Sequence, residues 1–162
     1  MNYARDALGD DPKFVFVRRI VTRSPDAGSE DHDSLTPLAF EADVRVGNFS
    51  LHWDAHGLRY GLPASIRADI ADGRVVIANI SRQSIEIAQA EFERLAIISL
   101  VAPRAVLAKR LLARGRESAA EIEARLSRNT QTVSGPLVTE ICNDGALADA
   151  GDTLLRTLRG LA

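Results

Sequence analysis

Two periods of apolar and polar residues run through this chain, and the switches between them lay out its elements. Phe14-Val15-Phe16-Val17 is a continuous apolar run of strand formers and predicts a buried strand. Arg74 to Asn79, Leu95 to Val101 and Leu137 to Cys142 predict three more. Helical patterns fill the gaps: Pro63 to Asp72 closed by Gly73, Ser81 to Phe92, Pro103 to Arg114, and an amphipathic stretch from Ala146 to Leu161. Ser118 to Glu121 reads as a capping box that starts one further helix. A short helix, Asn2 to Leu8, precedes the first strand. Thr36-Pro37 pairs an N-cap with a proline at the first helical position, and that helix stops near Gly47. Apolar strands alternating with helices predict an α/β fold: a parallel sheet with helices on both faces, three layers in all.

One region breaks this rule. From Phe49 to His56 the residues alternate: Phe49, Leu51, Trp53 and Ala55 one way, Ser50, His52, Asp54 and His56 the other. Gly57 and Gly61 bracket a turn and a second short strand around Tyr60. A polar-faced strand pair does not belong in a buried parallel sheet, so a separate small antiparallel flap is expected. The loop before it, Ser24 to Asp33, is polar and contains Pro25 and Gly28.

Composition narrows the class. The 162 residues, 46% hydrophobic and 26% charged, fit one soluble domain and exclude wholesale disorder. A net charge of −2 leaves no global basic footprint for nucleic acid. No apolar run reaches the ~18 residues of a membrane span, and Met1 to Asp6 has no signal-peptide layout, so a cytoplasmic protein is expected. The single cysteine, Cys142, excludes a disulfide framework; it reads as a small buried residue at a strand end.

Three polar clusters could carry chemistry. Arg18, Arg19 and Arg23 follow the first strand, where open α/β sheets bind ligands, and guanidinium forks match phosphate oxygens. His52, Asp54 and His56, with Tyr60 beyond, form the polar strand face. The two histidines stand more than ~10 Å apart along an extended strand, at ~3.3 Å per residue, which disfavours a shared metal. Tyr60 is equally suited to close over a ligand or to pack in the core. The third cluster is Lys109, Arg110, Arg114, Arg116, Arg125 and Arg128, on two helices hinged at Gly115. Arginines on a hinged helix pair suit a lid over phosphates.

In this order the clusters resemble the guanylate-kinase-like P-loop kinase superfamily, and within it the ribose 1,5-bisphosphate phosphokinases of phosphonate breakdown. The resemblance runs from about residue 14 to the end. It is carried by Val17 to Arg23, Ala27 to His32, the W-x-A-H-G-L-x-Y-G run from Trp53 to Gly61, the N-x-S-R run from Asn79 to Arg82, the R-G-R-E-S run from Arg114 to Ser118, and Asn143-Asp144-Gly145. It implies one domain over 1–162, with a core of 1–23, 74–103 and 132–162, an acceptor flap over about 24–73 and a lid over about 104–131.

The implied reaction moves the γ-phosphoryl of ATP, with Mg²⁺, to the 1-phosphate of ribose 1,5-bisphosphate, giving 5-phosphoribosyl 1-diphosphate and ADP. By the same resemblance Arg19, Arg23 and Tyr60 hold the acceptor phosphate, with His32, His52, His56 and Asn79 also on the substrate. Arg110 and Arg116 would serve the nucleotide, and Arg114 and Arg125 the transferring phosphoryl. Guanylate kinases place carboxylates where this chain has His52 and Asn79. That change suits a sugar bisphosphate better than guanine, whose donors want acceptors. The family pattern begins with a strand and a G-x-x-x-x-G-K loop, which this chain does not carry; Lys13 and Lys109 are its only lysines. The expectation is that a strand and loop of roughly twenty residues are encoded upstream of Met1, or that the gene is truncated. The partner expected is a small sugar phosphate, not nucleic acid or a membrane, with a homodimer left open. A guanylate-kinase-like nucleotide kinase and a non-catalytic domain that binds a phospholigand or protein are the alternatives.

Overall fold

The structure, a computed structural model, describes residues 1–23, 32–114, 122, 123, 126, 133, 135 and 137–162. They form two compact units, Met1–Leu95 with Thr157–Ala162, and Ala96–Arg156. No helix among the described residues is long and apolar enough to cross a membrane.

In the first unit, α1 (Asn2–Leu8) leads to β1 (Phe14–Phe16), which pairs in parallel with β6 (Val75–Ile77), Phe14 opposite Val75. The apolar run from Phe14 does not deliver its arginines to the end of that strand. The ladder ends where the Val17 amide donates to the Ile77 carbonyl at 2.9 Å. Arg18 then reaches toward another sheet: its guanidinium pairs with Asp33 at 3.0 Å and donates to the His32 carbonyl at 3.3 Å. Arg19–Val21 is therefore a separate strand, β2, in a four-stranded sheet ordered β3-β2-β5-β4. Its other members are β3 (His32–Ser34), parallel to β2, and the antiparallel hairpin β4 (Phe49–Ala55) and β5 (Leu58–Pro63).

α2 (Pro37–Arg45) starts as its sequence predicts: Thr36 is extended at ψ 153°, and its hydroxyl accepts from the Ala39 amide at 3.2 Å. α3 (Ile66–Ala71) is followed by Gly73 in the left-handed region at φ 77°. The stretch from Ser81 is not one helix. A 3-10 turn, Arg82–Ser84, precedes α4 (Ile85–Glu91), because the fully buried Ser84 donates its hydroxyl back to the Ser81 carbonyl at 2.8 Å.

In the second unit β7 (Ile97–Val101) pairs in parallel with β8 (Val138–Cys142), Ile97 opposite Val138. α5 (Arg104–Arg114) packs Leu107, Ala108 and Leu111 around Ile122 and Leu126. The last helix, α6 (Leu147–Arg159), whose residues from Thr157 on belong to the first unit, buries Ala150, Leu154, Leu155 and Leu158, one stripe at helical spacing. The parallel pairing among the described residues is thus two two-stranded ladders, β1 with β6 and β7 with β8.

Candidate functional site

The four-stranded sheet separates the candidate residues by face. Val21 lies opposite Tyr60, and Trp53 opposite Tyr60 from the other side. All three belong to the buried cluster with Leu51, Leu62 and Ile66, packed against Ala78 and Ile80. Tyr60, at 8% exposure, is a core residue. Its ring stacks on Trp53, with centroids 5.5 Å apart and planes 9° apart. The Arg19 guanidinium lies over it, 5.4 Å from the centroid. A cation there is worth about 0.5–2 kcal/mol and stays where the ring stays. His32 is the register partner of Arg19 on β3, so it stands beside the arginine. Arg23 is half-buried, two residues past the end of β2.

His52 and Tyr60 do not share a face. His52 lies opposite Gly61, one residue out of phase with Tyr60. It stays exposed, with Asp54, on the side covered by α2. Phe49 is also on that side, against its expected place beside Leu51. The cause is a bulge: Phe49 pairs with Pro63 but Leu51 with Leu62, and Ser50 donates its hydroxyl to the Leu62 and Pro63 carbonyls at 3.3 and 3.2 Å. Phe49 therefore stacks on Phe40 of α2, centroids 4.5 Å apart, and lies 6.4 Å from the His52 ring. Arg59, which alternation alone does not single out, joins this face. It lies 4.9 Å from the Phe40 ring, bonds Asp54 at 3.3 Å and pairs with Glu41.

The hairpin tip holds His56 and Gly57, both with positive φ, 54° and 72°. Ala55 pairs with Leu58, so this is a two-residue type I′ turn. Asn79 is half-buried just past β6, between two residues packed on the core cluster.

In the second unit Arg110 is bound to the chain after β8. Its guanidinium donates to the Asn143 carbonyl at 2.8 Å, the Asn143 side-chain oxygen at 3.3 Å and the Gly145 carbonyl at 3.5 Å. Two motifs singled out separately in the sequence, the α5 arginines and Asn143-Asp144-Gly145, thereby meet. The Arg114 backbone closes α5; its side chain, the capping box at Ser118, Arg116 and Arg125 lie outside the described residues. Cys142 is exposed, not buried, because it ends β8 facing outward. Desolvation first, then a hydrogen bond and charge from Asp144 and the charge of Glu140, hold its thiol above the ordinary range.

Comparison with known proteins places this arrangement. A ribose 1,5-bisphosphate phosphokinase PhnN of Agrobacterium fabrum is 43% identical over 160 residues, covering 98% of this chain and 87% of that one. The protein of the same name from Brucella melitensis is 44% identical over 164 residues, covering 100% and 85%. The chain belongs to the ribose 1,5-bisphosphate phosphokinase family. Its fold is that of the guanylate kinases: the crystal structure of guanylate kinase from Anaplasma phagocytophilum superposes with a TM-score of 0.68 over 97% of this chain and 79% of that one, at 15% identity. No family model matches the sequence.

Proposed function

We propose that this chain is a phosphotransferase that moves the γ-phosphoryl of ATP to the 1-phosphate of ribose 1,5-bisphosphate. The observation that carries the reading is identity of 43–44% to two ribose 1,5-bisphosphate phosphokinases over nearly the whole chain. An oxygen of the 1-phosphate attacks the γ-phosphorus, the bond to the bridging oxygen of ADP breaks, and 5-phosphoribosyl 1-diphosphate leaves with ADP. The acceptor is already anionic, so no general base is required. The task left to the protein is to place two anions and offset their repulsion.

Arg19 and Arg23 take the acceptor phosphate, and the Tyr60 hydroxyl a third contact. His32, His56 and Asn79 complete the sugar phosphate site, and His52, on the sheet face opposite Arg19 and Tyr60, is left outside it. The flap is the sheet and hairpin of about 24–73, reaching back to Arg19 on β2. The lid is about 104–131: Arg114 and Arg125 spread the charge of the moving phosphoryl group, and Arg110 and Arg116 serve the nucleotide. Arg110 does so by fixing the Asn143–Gly145 segment that it already holds. Bound with ATP, Mg²⁺ would supply charge neutralisation for its phosphates.

A coupled ADP-release assay tests the assignment. Arg23→Ala is expected to raise the KM for ribose 1,5-bisphosphate by about tenfold or more, the scale of a lost charged hydrogen bond. Arg114→Ala is expected to lower kcat about 10²-fold or more with unchanged thermal unfolding. Unchanged constants remove each residue from its role. Turnover of GMP instead of the ribose bisphosphate would replace the reading by the nucleotide kinase one.

A further inference from the structure

We propose that Thr22 is a positioning residue of the acceptor site, its hydroxyl replacing its own carbonyl in the last rung between β2 and β5 so that the chain turns and delivers Arg23. The proposal rests on the functional reading above, which puts Arg23 on the acceptor phosphate. The register runs Ile20 opposite Gly61 and Val21 opposite Tyr60, so the next pair is Thr22 and Arg59. A regular hydrogen-bonded pair exchanges two backbone bonds. Here the Thr22 amide donates to the Arg59 carbonyl at 3.0 Å, as the ladder requires. The Arg59 amide, however, donates to the Thr22 hydroxyl oxygen at 2.9 Å. That amide has a single hydrogen, and the side chain takes it. The Thr22 carbonyl leaves the ladder, β2 ends at Val21, and the backbone bends at Thr22 and Arg23.

The strand that enters the bend is anchored on both of its edges. The Val21 carbonyl accepts from the Leu35 amide at 3.1 Å on the β3 side. Arg59 is fixed by Phe40, Glu41 and Asp54. The direction in which Arg23 leaves the sheet is therefore set by one hydroxyl on a one-carbon tether, which among the neutral side chains only Thr and Ser supply. The branched Cβ of Thr further restricts χ1. Valine keeps the shape and removes the acceptor. The Arg59 amide then recaptures the carbonyl of residue 22, the ladder lengthens by one pair, and Arg23 swings away.

Calorimetric titration of the full chain with ribose 1,5-bisphosphate tests this, alongside thermal unfolding of each variant. Thr22→Val is expected to weaken binding about tenfold, the scale of displacing one charged contact, and Thr22→Ser to stay within about threefold of the parent. In an Arg23→Ala background Thr22→Val is expected to add nothing, since both act through one contact. Should the valine variant fail to fold, Thr22→Ala takes its place in the same cycle. Unchanged affinity in the folded variant, or a further tenfold loss on top of Arg23→Ala, overturns the proposal while leaving the function standing. A parent chain that does not bind ribose 1,5-bisphosphate overturns the function and the proposal together.

Discussion

His56 occupies a conformation that its side chain resists. A type I′ turn wants positive φ at both central residues, and Asn-Gly satisfies that with least strain. This chain puts His-Gly there, with His56 at φ 54°. The left-handed region costs most residues about 1–2 kcal/mol, and such strain persists where function holds it. His56→Asn is expected to stabilise the protein by about 0.5–1 kcal/mol, roughly 1–4 °C for a chain of this size, while weakening ribose 1,5-bisphosphate binding. Thermal unfolding and titration on the same variant check both halves; a gain in stability with unchanged affinity takes His56 out of the site. Cys142 shows the reverse relation between sequence and structure. A lone cysteine at a strand end reads as buried, but strand register, not residue type, decides outward placement. Its thiol pKa is raised, so the neutral thiol prevails around neutral pH. Alkylation is expected to be slow there and to accelerate only at a higher pH than for an ordinary exposed cysteine; a rate matching the ordinary thiol's profile contradicts this.

The helix α2 and the β4–β5 hairpin show what elements reveal in advance. Thr36-Pro37 announces the α2 start because an N-cap is a local device, complete within four residues. The alternation of Leu51, His52, Trp53 and Asp54 was equally legible, and their burial follows it. The bulge at Ser50 was not, since it depends on which carbonyls the partner strand offers. The split of residues 14–21 into strands of two sheets escaped for the same reason: Arg18 is claimed by Asp33 and His32, fourteen or more positions away. The bulge also explains Gly61. A Cβ there would stand 2.5 Å from the Phe49 ring, which is backed by Phe40 and has little room to retreat. Gly61→Ala is expected to destabilise the fold by about 1–3 kcal/mol, measured by denaturant unfolding. A neutral effect would mean that the Phe40–Phe49 stack is looser than its geometry.

At the scale of the whole molecule the two arginine clusters fall into different compact units, Arg19 and Arg23 in one and Arg110 in the other. The motifs that carry the resemblance, above all the runs from Trp53 to Gly61 and from Asn79 to Arg82, pointed to the guanylate-kinase-like fold, and the TM-score of 0.68 agrees. Pairing between strands was not readable, because it is made by contacts distant in sequence. The choice between sugar and nucleotide acceptor rested on His52 and Asn79, and the relatives' names support the sugar. The most direct measurement follows the acceptor's own phosphorus. In phosphorus NMR of the chain with ATP, Mg²⁺ and ribose 1,5-bisphosphate, the 1-phosphate monoester signal is expected to give way to a diphosphate pair as ADP accumulates. A persistent monoester signal under conditions where GMP is converted to GDP would contradict the account.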